Sequence, residues 1–239
     1  MNRKIKFLTN FYIFVIIISV FLVGFVPKTS LTISGGQSYS PYYKGSENSS
    51  SVALTFNVYE NSNVVKGILQ VLKEKGVKAT FFVGGCWADD NGEILNEIIA
   101  DGHELGNHGY FHKNHKKLSY DGNFREIDDN TKIVLALTGY KMRLFAPPSG
   151  EYSQTTLKVA ESLGYKTIMW SKDTIDWRDS DLQTIINRAT NGVKGGDIIL
   201  MHPKEHTLKA LSTIIDTIKQ NNLSLDIISK VCNIESQEL

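Results

Sequence analysis

Two histidines four residues apart, His108 and His112, are the first feature of this sequence that could do chemistry. They lie in the stretch HELGNHGYFH, residues 103–112, where two glycines indicate a turn rather than a regular helix. A turn can still direct two imidazole nitrogens at one cation, and zinc readily accepts neutral imidazole. The spacing by itself is weak evidence of a metal site. His103 precedes the pair and is interpreted as a structural residue that makes a hydrogen bond.

Carboxylates, a tryptophan and a further histidine follow other apolar runs of the chain. Asp173, Asp176 and Trp177 come after the run TIMWS, and His202 ends the run DIILMH. Histidine and carboxylate groups are the usual donors and acceptors of protons in catalysis. If these runs are strands of one sheet, their ends could bring the groups together with the histidine pair.

The hydrophobic pattern supplies the elements that would position these residues. SVALTFNV, from residue 51, is a short apolar run typical of a buried strand, and Val64, Ile68 and Leu72 then mark one face of a helix. The alternation continues to LSLDIIS, which is predicted to be the closing strand. Nearly all-apolar strands that alternate with helices predict a parallel sheet covered by helices. About seven such units without a central break favour a barrel, with its chemistry at the carboxyl ends of the strands.

Five segments of the chain occur in a recognisable order: LTFNV, HELGNHGYFH, APPSGEYS, WSKDTIDW and IILMHP. They resemble the five motifs of the polysaccharide deacetylase family, also known as NodB-homology or carbohydrate esterase 4 domains. The resemblance implies that residues 51–235 form an α/β domain, a deformed (β/α) barrel of about seven parallel strands. It also implies metal-dependent removal of N-acetyl groups from an extracellular glycan such as peptidoglycan or a chitin-like chain.

The resemblance assigns roles to individual residues. His108 and His112 match the family's metal-binding histidines for one divalent ion, zinc first, with cobalt, nickel and manganese as alternatives. His202 matches the general acid that protonates the leaving amine, and Asp176 matches the carboxylate that orients it. The candidate substrate-binding residues, which would form the apolar wall against the acetyl methyl group, are Trp177, Leu200 and Pro148.

Two of the motifs depart from the family pattern at three positions. The first motif ordinarily contains Asp-Asp, which supply the general base and the third metal ligand, but this chain has Asn57-Val58. A neutral amide is a poor proton acceptor, and valine cannot bind a metal. Ala146 replaces the arginine that would pair with the base. The losses fit together, because an arginine without its carboxylate would be a buried unpaired charge.

Two functions therefore remain open, with a third ranked below them. In the first, the protein is a deacetylase in which the Asn57 oxygen helps to bind the ion and Asp173, Asp176 or Glu60 acts as base. In the second, it is a catalytically silent homologue that binds glycan. The third is a hydrolase of a different acyl or formyl group.

The N-terminal segment is different in kind from the rest of the chain. Residues 11–26 carry no charge and follow a basic start, so residues 1–27 are predicted to be a signal-anchor in the membrane or a cleaved signal peptide. Residues 28–50, rich in Ser, Gly, Tyr and Asn, are predicted to be a flexible linker. The domain would then lie outside the cell, on the membrane or secreted.

Composition limits the remaining possibilities. A net charge of +1 and the lack of a basic tract give no reason to expect nucleic acid as a partner. Cys86 and Cys232 are the two cysteines, too few to define a disulfide framework, and free buried thiols are the simpler expectation.

Overall fold

The parallel strands are β1 (Ser51–Val58), β2 (Thr80–Val83), β3 (Glu104–Asn107), β4 (Leu144–Phe145), β5 (Lys166–Thr167), β6 (Lys172–Asp173), β7 (Ile198–Met201) and β8 (Ser224–Leu225). In the computed structural model, which describes residues 39–46 and 48–234, the strand order is β5-β4-β3-β2-β1-β7-β6. β8 pairs with the start of β1. The sheet curls into a half-barrel with β5 and β6 at its two ends, which confirms the predicted deformed (β/α) barrel.

Helices connect the strands and cover the outside of the sheet. Their apolar faces are buried, as the helical spacing of the hydrophobic residues predicts. Two short 3₁₀ turns, His115–Lys117 and Pro148–Gly150, lie in the connections that follow β3 and β4. The helices are α1 (Ser62–Lys75), α2 (Gly85–Asp89), α3 (Gly92–Ala100), α4 (Tyr120–Thr138), α5 (Gln154–Ser162), α6 (Leu182–Thr190), α7 (Glu205–Gln220) and α8 (Ile228–Val231).

The alternation of side chains along β1 separates the helix-covered core from the inside of the half-barrel. Phe56 and Val58 are fully buried members of the large core cluster beneath the helices. Thr55 belongs to the opposite face, where its hydroxyl donates to the carbonyl of Ile199 at 3.0 Å. Asn57 shares that face, at the carboxyl end of the strand. Two residues that are neighbours in sequence, Asn57 and Val58, therefore lie in different environments.

The prediction that LSLDIIS forms the closing strand is correct only for the first residues of this segment. Only Ser224–Leu225 is a strand, and the chain then turns into the short helix α8. The reason is packing: Ile228 and Val231 are buried in the small cluster inside the half-barrel, one helical turn apart. The Ile228 N–H also donates to the hydroxyl of Thr80 at 3.0 Å, which anchors the start of the helix.

The second half of the predicted linker packs on the domain. Tyr42 N–H donates to the Thr167 carbonyl at 2.9 Å, and Gly45 N–H donates to the Gly196 carbonyl at 2.7 Å. The chain approaches Gly195 so closely that a Cβ there would lie 1.5 Å from the Ser49 oxygen. The domain therefore begins before the predicted residue 51.

The segments predicted as anchor (1–27) and as the start of the linker (28–38) lie outside the described residues. Within the described part of the chain, no helix is both long enough and apolar enough to cross a membrane. Cys86 and Cys232 are free thiols, each partly buried. Burial raises the pKa of Cys232 to about 11, and the nearby Glu104 adds to this.

His103 ties β2 to β3 at the start of both strands. Its Nδ1 accepts the backbone N–H of Ala79 at 3.1 Å, and the side chain is 4% exposed. Burial lowers the pKa of His103 to about 4; the charge of Lys78 adds to the effect and Asp101 opposes it. This contact agrees with the structural role expected from the sequence.

The low pKa of His103 predicts a pH-dependent stability. The unfolded chain takes up this proton near pH 6.5, whereas the folded chain resists it down to about pH 4. The free energy of unfolding should therefore fall as pH decreases through this window, by about 3 kcal/mol from this residue. In His103→Asn, whose amide oxygen can accept the same N–H, urea unfolding at pH 7 and pH 4.5 should show a smaller loss. An equal loss in both chains would contradict the assignment.

Candidate active site

A cavity of about 520 Å³ opens at the carboxyl ends of the strands. Its wall is formed by residues at or after the ends of β1 and β3 to β7, so it lies where the barrel topology places chemistry. Six of the residues predicted as catalytic, metal-binding or substrate-binding line it: Asn57, His108, His112, Trp177, Leu200 and His202. The candidate bases Glu60 and Asp173 line it as well.

The two histidines of the predicted metal site are neighbours in this cavity. Their ring centroids are 5.1 Å apart. His108 is 1% exposed, and its Nδ1 lies 2.7 Å from the carbonyl oxygen of Ala146. Because that oxygen can only accept, Nδ1 carries the proton and Nε2 keeps its lone pair. Burial lowers the pKa of both His108 and His112, so both imidazoles are neutral and able to bind a metal.

A buried carboxylate on α4 fixes the loop that carries His112. Glu126 is 3% exposed, accepts the Phe111 N–H at 2.8 Å and lies 3.0 Å from the Lys113 ammonium. These partners flank His112, which has the left-handed backbone conformation with φ of 54°. On its other side, the ring of Tyr59 lies 5.0 Å from the His112 ring. Neither Glu126 nor Tyr59 was predicted from the sequence.

The pattern of buried residues along α4 could have indicated the role of Glu126. Its buried positions form one helical stripe that faces the sheet, and three of them are polar. Polar side chains on a buried stripe indicate a hydrogen-bond network. The stripe comprises Asn123, Glu126, Ile127, Asn130 and Val134.

His202 and Asp176 form a hydrogen-bonded pair on the opposite side of the cavity. His202 Nδ1 lies 2.8 Å from Asp176 Oδ1, and the backbone N–H of His202 donates to Asp176 Oδ2 at 2.7 Å. The Thr207 hydroxyl also donates to Oδ2, at 2.6 Å. Burial would raise the pKa of Asp176, but these hydrogen bonds and the His202 charge lower it overall. Asp176 is therefore an ionised carboxylate that holds Nδ1 of His202 protonated and directs Nε2 elsewhere.

Asn57 supplies an unused acceptor beside the histidines. Its Oδ1 is buried without a hydrogen-bond partner in the described structure, which is unusual for a polar atom. A divalent ion would satisfy it. Val58 is fully buried in the core and is not one of the cavity residues. The described residues contain no cluster of three His, Cys, Asp or Glu placed to hold a metal. The donor set that fits an ion is thus two imidazoles and one neutral amide oxygen.

The three carboxylates considered as bases differ in their availability. Both oxygens of Asp176 accept hydrogen bonds from the His202 segment. Glu60 forms an ion pair with Lys204 at the mouth of the cavity. Asp173 lines the cavity, and the structure shows its Oδ1 accepting the Ile175 N–H at 2.8 Å.

Two of the three residues predicted to form the apolar wall line the cavity. Trp177 is 56% exposed and lines the cavity together with the buried Leu200. Pro148 is buried and lies outside the set of lining residues, whereas its neighbour Ser149 lines the cavity together with Trp170.

Paired imidazoles thus face an aspartate-histidine pair across one cavity. A family profile for polysaccharide deacetylases matches residues 44–168. The chain belongs to the polysaccharide deacetylase family.

Similar proteins include a named deacetylase and an uncharacterized protein. A peptidoglycan-N-acetylglucosamine deacetylase of Bacillus cereus is 34% identical over 188 residues, which are 77% of this chain and 68% of that protein. The uncharacterized protein YlxY of Bacillus subtilis is 32% identical over 191 residues, covering 80% of this chain and 60% of that protein. The chain therefore spans less than two thirds of that relative's length.

A solved structure from Bacillus anthracis, described as a pseudoenzyme of carbohydrate esterase family 4, superposes with a TM-score of 0.79. It is 36% identical and covers 82% of this chain and 69% of its own. A mutant of that pseudoenzyme is described as having restored enzymatic activity.

The contacts of Glu126 predict its effect on the histidine site. Glu126→Ala removes the carboxylate that binds the Phe111 N–H and the Lys113 ammonium, one on each side of His112 in the sequence. Loss of a contact that supports a metal ligand typically weakens metal binding about 10- to 100-fold. Glu126→Gln can keep the Phe111 N–H bond and should lose less. Competition with a chromophoric chelator measures the zinc affinity.

The matched control is Asp128→Ala, which removes another carboxylate of α4 whose partner is Lys132 at the surface. It should leave zinc affinity unchanged. Equal affinities for Glu126→Ala and the wild type would show that Glu126 does not position His112.

Proposed function

We propose that this chain is a metal-dependent deacetylase that removes N-acetyl groups from an extracellular glycan such as peptidoglycan or a chitin-like chain. The observation that carries the proposal is the hydrogen-bonded His202–Asp176 pair, which faces the His108 and His112 imidazoles across one cavity. A buried carboxylate with three hydrogen bonds in this segment has no evident need in the fold. Enzymes that act on peptidoglycan are among the similar proteins, which supports this substrate class.

His108, His112 and Oδ1 of Asn57 would hold the ion, which we expect to be zinc, with cobalt, nickel or manganese as substitutes. The bound ion would polarise the acetyl carbonyl and lower the pKa of water. Three neutral donors attract a divalent cation less strongly than a donor set that includes a negatively charged carboxylate. We therefore expect weaker binding than an aspartate at position 57 would give.

His202 is the group that would protonate the departing nitrogen. Asp176 accepts a hydrogen bond from the Nδ1–H group of His202, so the second nitrogen, Nε2, is the atom that can transfer a proton. Trp177 and Leu200 would pack against the acetyl methyl group, because both line the same cavity.

Asp173 is our candidate for the base that Asn57 cannot provide. It lines the cavity, and β6 pairs it with Leu200 of β7, two residues before His202. Both oxygens of Asp176 accept hydrogen bonds and Glu60 is paired with Lys204, whereas Asp173 accepts the Ile175 N–H with one oxygen, Oδ1.

A catalytically silent glycan-binding protein is the second candidate. The observation that favours it is the neutral amide at position 57, where the family pattern has the base. In either case we propose that the domain works outside the cell, anchored through residues 11–26 or secreted.

Acetate release from peptidoglycan and from chitooligosaccharides, with and without zinc or cobalt, tests the proposal on the full chain. Positioned acid or base groups typically contribute about 10²- to 10⁴-fold, so His202→Asn and Asp173→Asn should each lose activity on that scale. Asparagine at 173 can still accept the Ile175 N–H, which separates chemistry from folding. Asp181→Asn is the matched control, because Asp181 likewise accepts a backbone N–H, that of Thr184, but is exposed.

Metal-dependent acetate release that His202→Asn abolishes would support the deacetylase. Glycan binding without any acetate release would favour the silent homologue instead. Activity that survives both substitutions would contradict the assigned roles.

A further inference from the structure

The first turn of α7 holds Asp176 through two consecutive side chains. The hydroxyl of Thr207, a fully buried residue, donates to Oδ2 of Asp176 at 2.6 Å. Nε2 of His206 lies 2.7 Å from the backbone carbonyl oxygen of Asp176. Because a carbonyl oxygen can only accept, Nε2 of His206 carries a proton and donates the hydrogen bond. One helical turn thus fixes both the main chain and the side chain of the residue that pairs with His202.

The backbone that leads into Asp176 has an unfavourable conformation. Ile175, the preceding residue, is left-handed, with φ of 56°. A β-branched residue rarely adopts this conformation, which persists only where the surrounding structure fixes it. Before Ile175, Oδ1 of Asp173 accepts the Ile175 N–H at 2.8 Å. After it, the carbonyl between Asp176 and Trp177 is the group that His206 binds. The His206 bond therefore holds the loop on the far side of the strained residue.

The position of the Asp176 carboxylate follows from this placement of the main chain. Its Oδ1 lies 2.8 Å from Nδ1 of His202, a distance that a small rotation of the loop would lengthen. Without the His206 bond, Ile175 is free to relax towards an ordinary conformation, and the carboxylate that follows it moves. The hydrogen bond at one ring nitrogen also decides the tautomer of an imidazole. The tautomer of His202 therefore reports whether Asp176 is in place.

We propose that His206, together with Thr207, is a positioning residue that acts on His202 through Asp176. His206 is not one of the residues that line the cavity, so it acts at one remove from a bound substrate. Its imidazole fixes the loop, the loop fixes the carboxylate, and the carboxylate fixes the proton on Nδ1 of His202. The inference rests on the proposed function and deepens it, because it adds a residue to the acid side of the same site.

The test follows the tautomer of His202 in the full chain, isotope-labelled at its histidine nitrogens. Long-range proton–nitrogen correlation spectra show which ring nitrogen carries the proton, at about pH 8.5, where an ordinary imidazole is neutral. The signals of His202 are assigned by their loss in His202→Asn. His206→Phe and His206→Ala remove the donor with and without a ring, whereas the amide of His206→Gln can donate to the same carbonyl.

Two threonine variants complete the set. Thr207→Val removes the second donor to Asp176 and keeps the shape of the side chain. Thr217→Val is its matched control, because the Thr217 hydroxyl donates within α7, to the Thr213 carbonyl at 2.8 Å, further along the helix.

The wild type should show neutral His202 in the Nδ1–H form. A hydrogen bond to a charged group can set such a ratio by about tenfold or more. His206→Phe and His206→Ala should therefore lower the ratio of the Nδ1–H to the Nε2–H form at least about tenfold, and His206→Gln should keep it. Thr207→Val should lower it by a smaller factor, because Oδ2 of Asp176 still accepts the His202 N–H. Thr217→Val should leave it unchanged.

A wild-type ratio in folded His206→Phe and His206→Ala would overturn the inference. Urea unfolding shows whether each variant is folded. Should both fail to fold, an unchanged ratio in Thr207→Val overturns the inference equally.

Turnover separates this inference from the proposed function. The tautomer measurement needs no acetate release, so a wild type that releases none contradicts the deacetylase while the ratio still tests the positioning. Where acetate is released, His206→Phe should lower kcat about 10²-fold, since misplacement of a reacting group typically costs that much, and His206→Gln should recover most of it. Full kcat in His206→Phe would overturn the inference and leave the deacetylase standing.

Discussion

The hydrogen bonding of β1 at the centre of a parallel sheet is the constraint on which the rest of the structure depends. β2 and β7 pair with β1 on its two sides, so the ends of these strands must meet at one edge. The period of two along β1 then puts Phe56 and Val58 in the helix-covered core and Asn57 towards the cavity. A slip of one residue would reverse both environments, and the buried apolar face excludes it.

The residues on the two sides of the cavity match the family pattern to different extents. On the β7 side, Asp176 and His202 match the family pattern and are joined by hydrogen bonds. On the β1 side, a neutral amide stands where the pattern has a carboxylate, and Ala146 stands where the pattern has an arginine. The absence of both the carboxylate and the arginine leaves no unpaired charge there. The site is therefore altered in a self-consistent way rather than simply damaged.

Sequence reasoning could find the strands, most helices and the motif residues, because each depends on local periodicity or on a residue type at a strand end. It placed His108, His112 and His202 at one edge, and the cavity contains all three. It could not find Glu126 or His206, whose importance comes from contacts between segments far apart in the chain. It also extended the last strand too far, because the apolar residues Ile227 and Ile228 suit a buried strand as well as the start of a buried helix. Only the space inside the half-barrel decides between them.

The central claim is that the two imidazoles and the Asn57 oxygen form one site for a divalent ion. Zinc affinity of the wild type and of Asn57→Asp, measured by chelator competition at pH 7.5, tests it most directly. Because a carboxylate would replace a neutral oxygen at the same position, the account predicts that Asn57→Asp binds zinc at least about tenfold more tightly. Asn96→Asp, on the exposed side of α3, should show no change. Unchanged or weaker binding by Asn57→Asp would contradict the claim, since it would mean that position 57 does not face the ion.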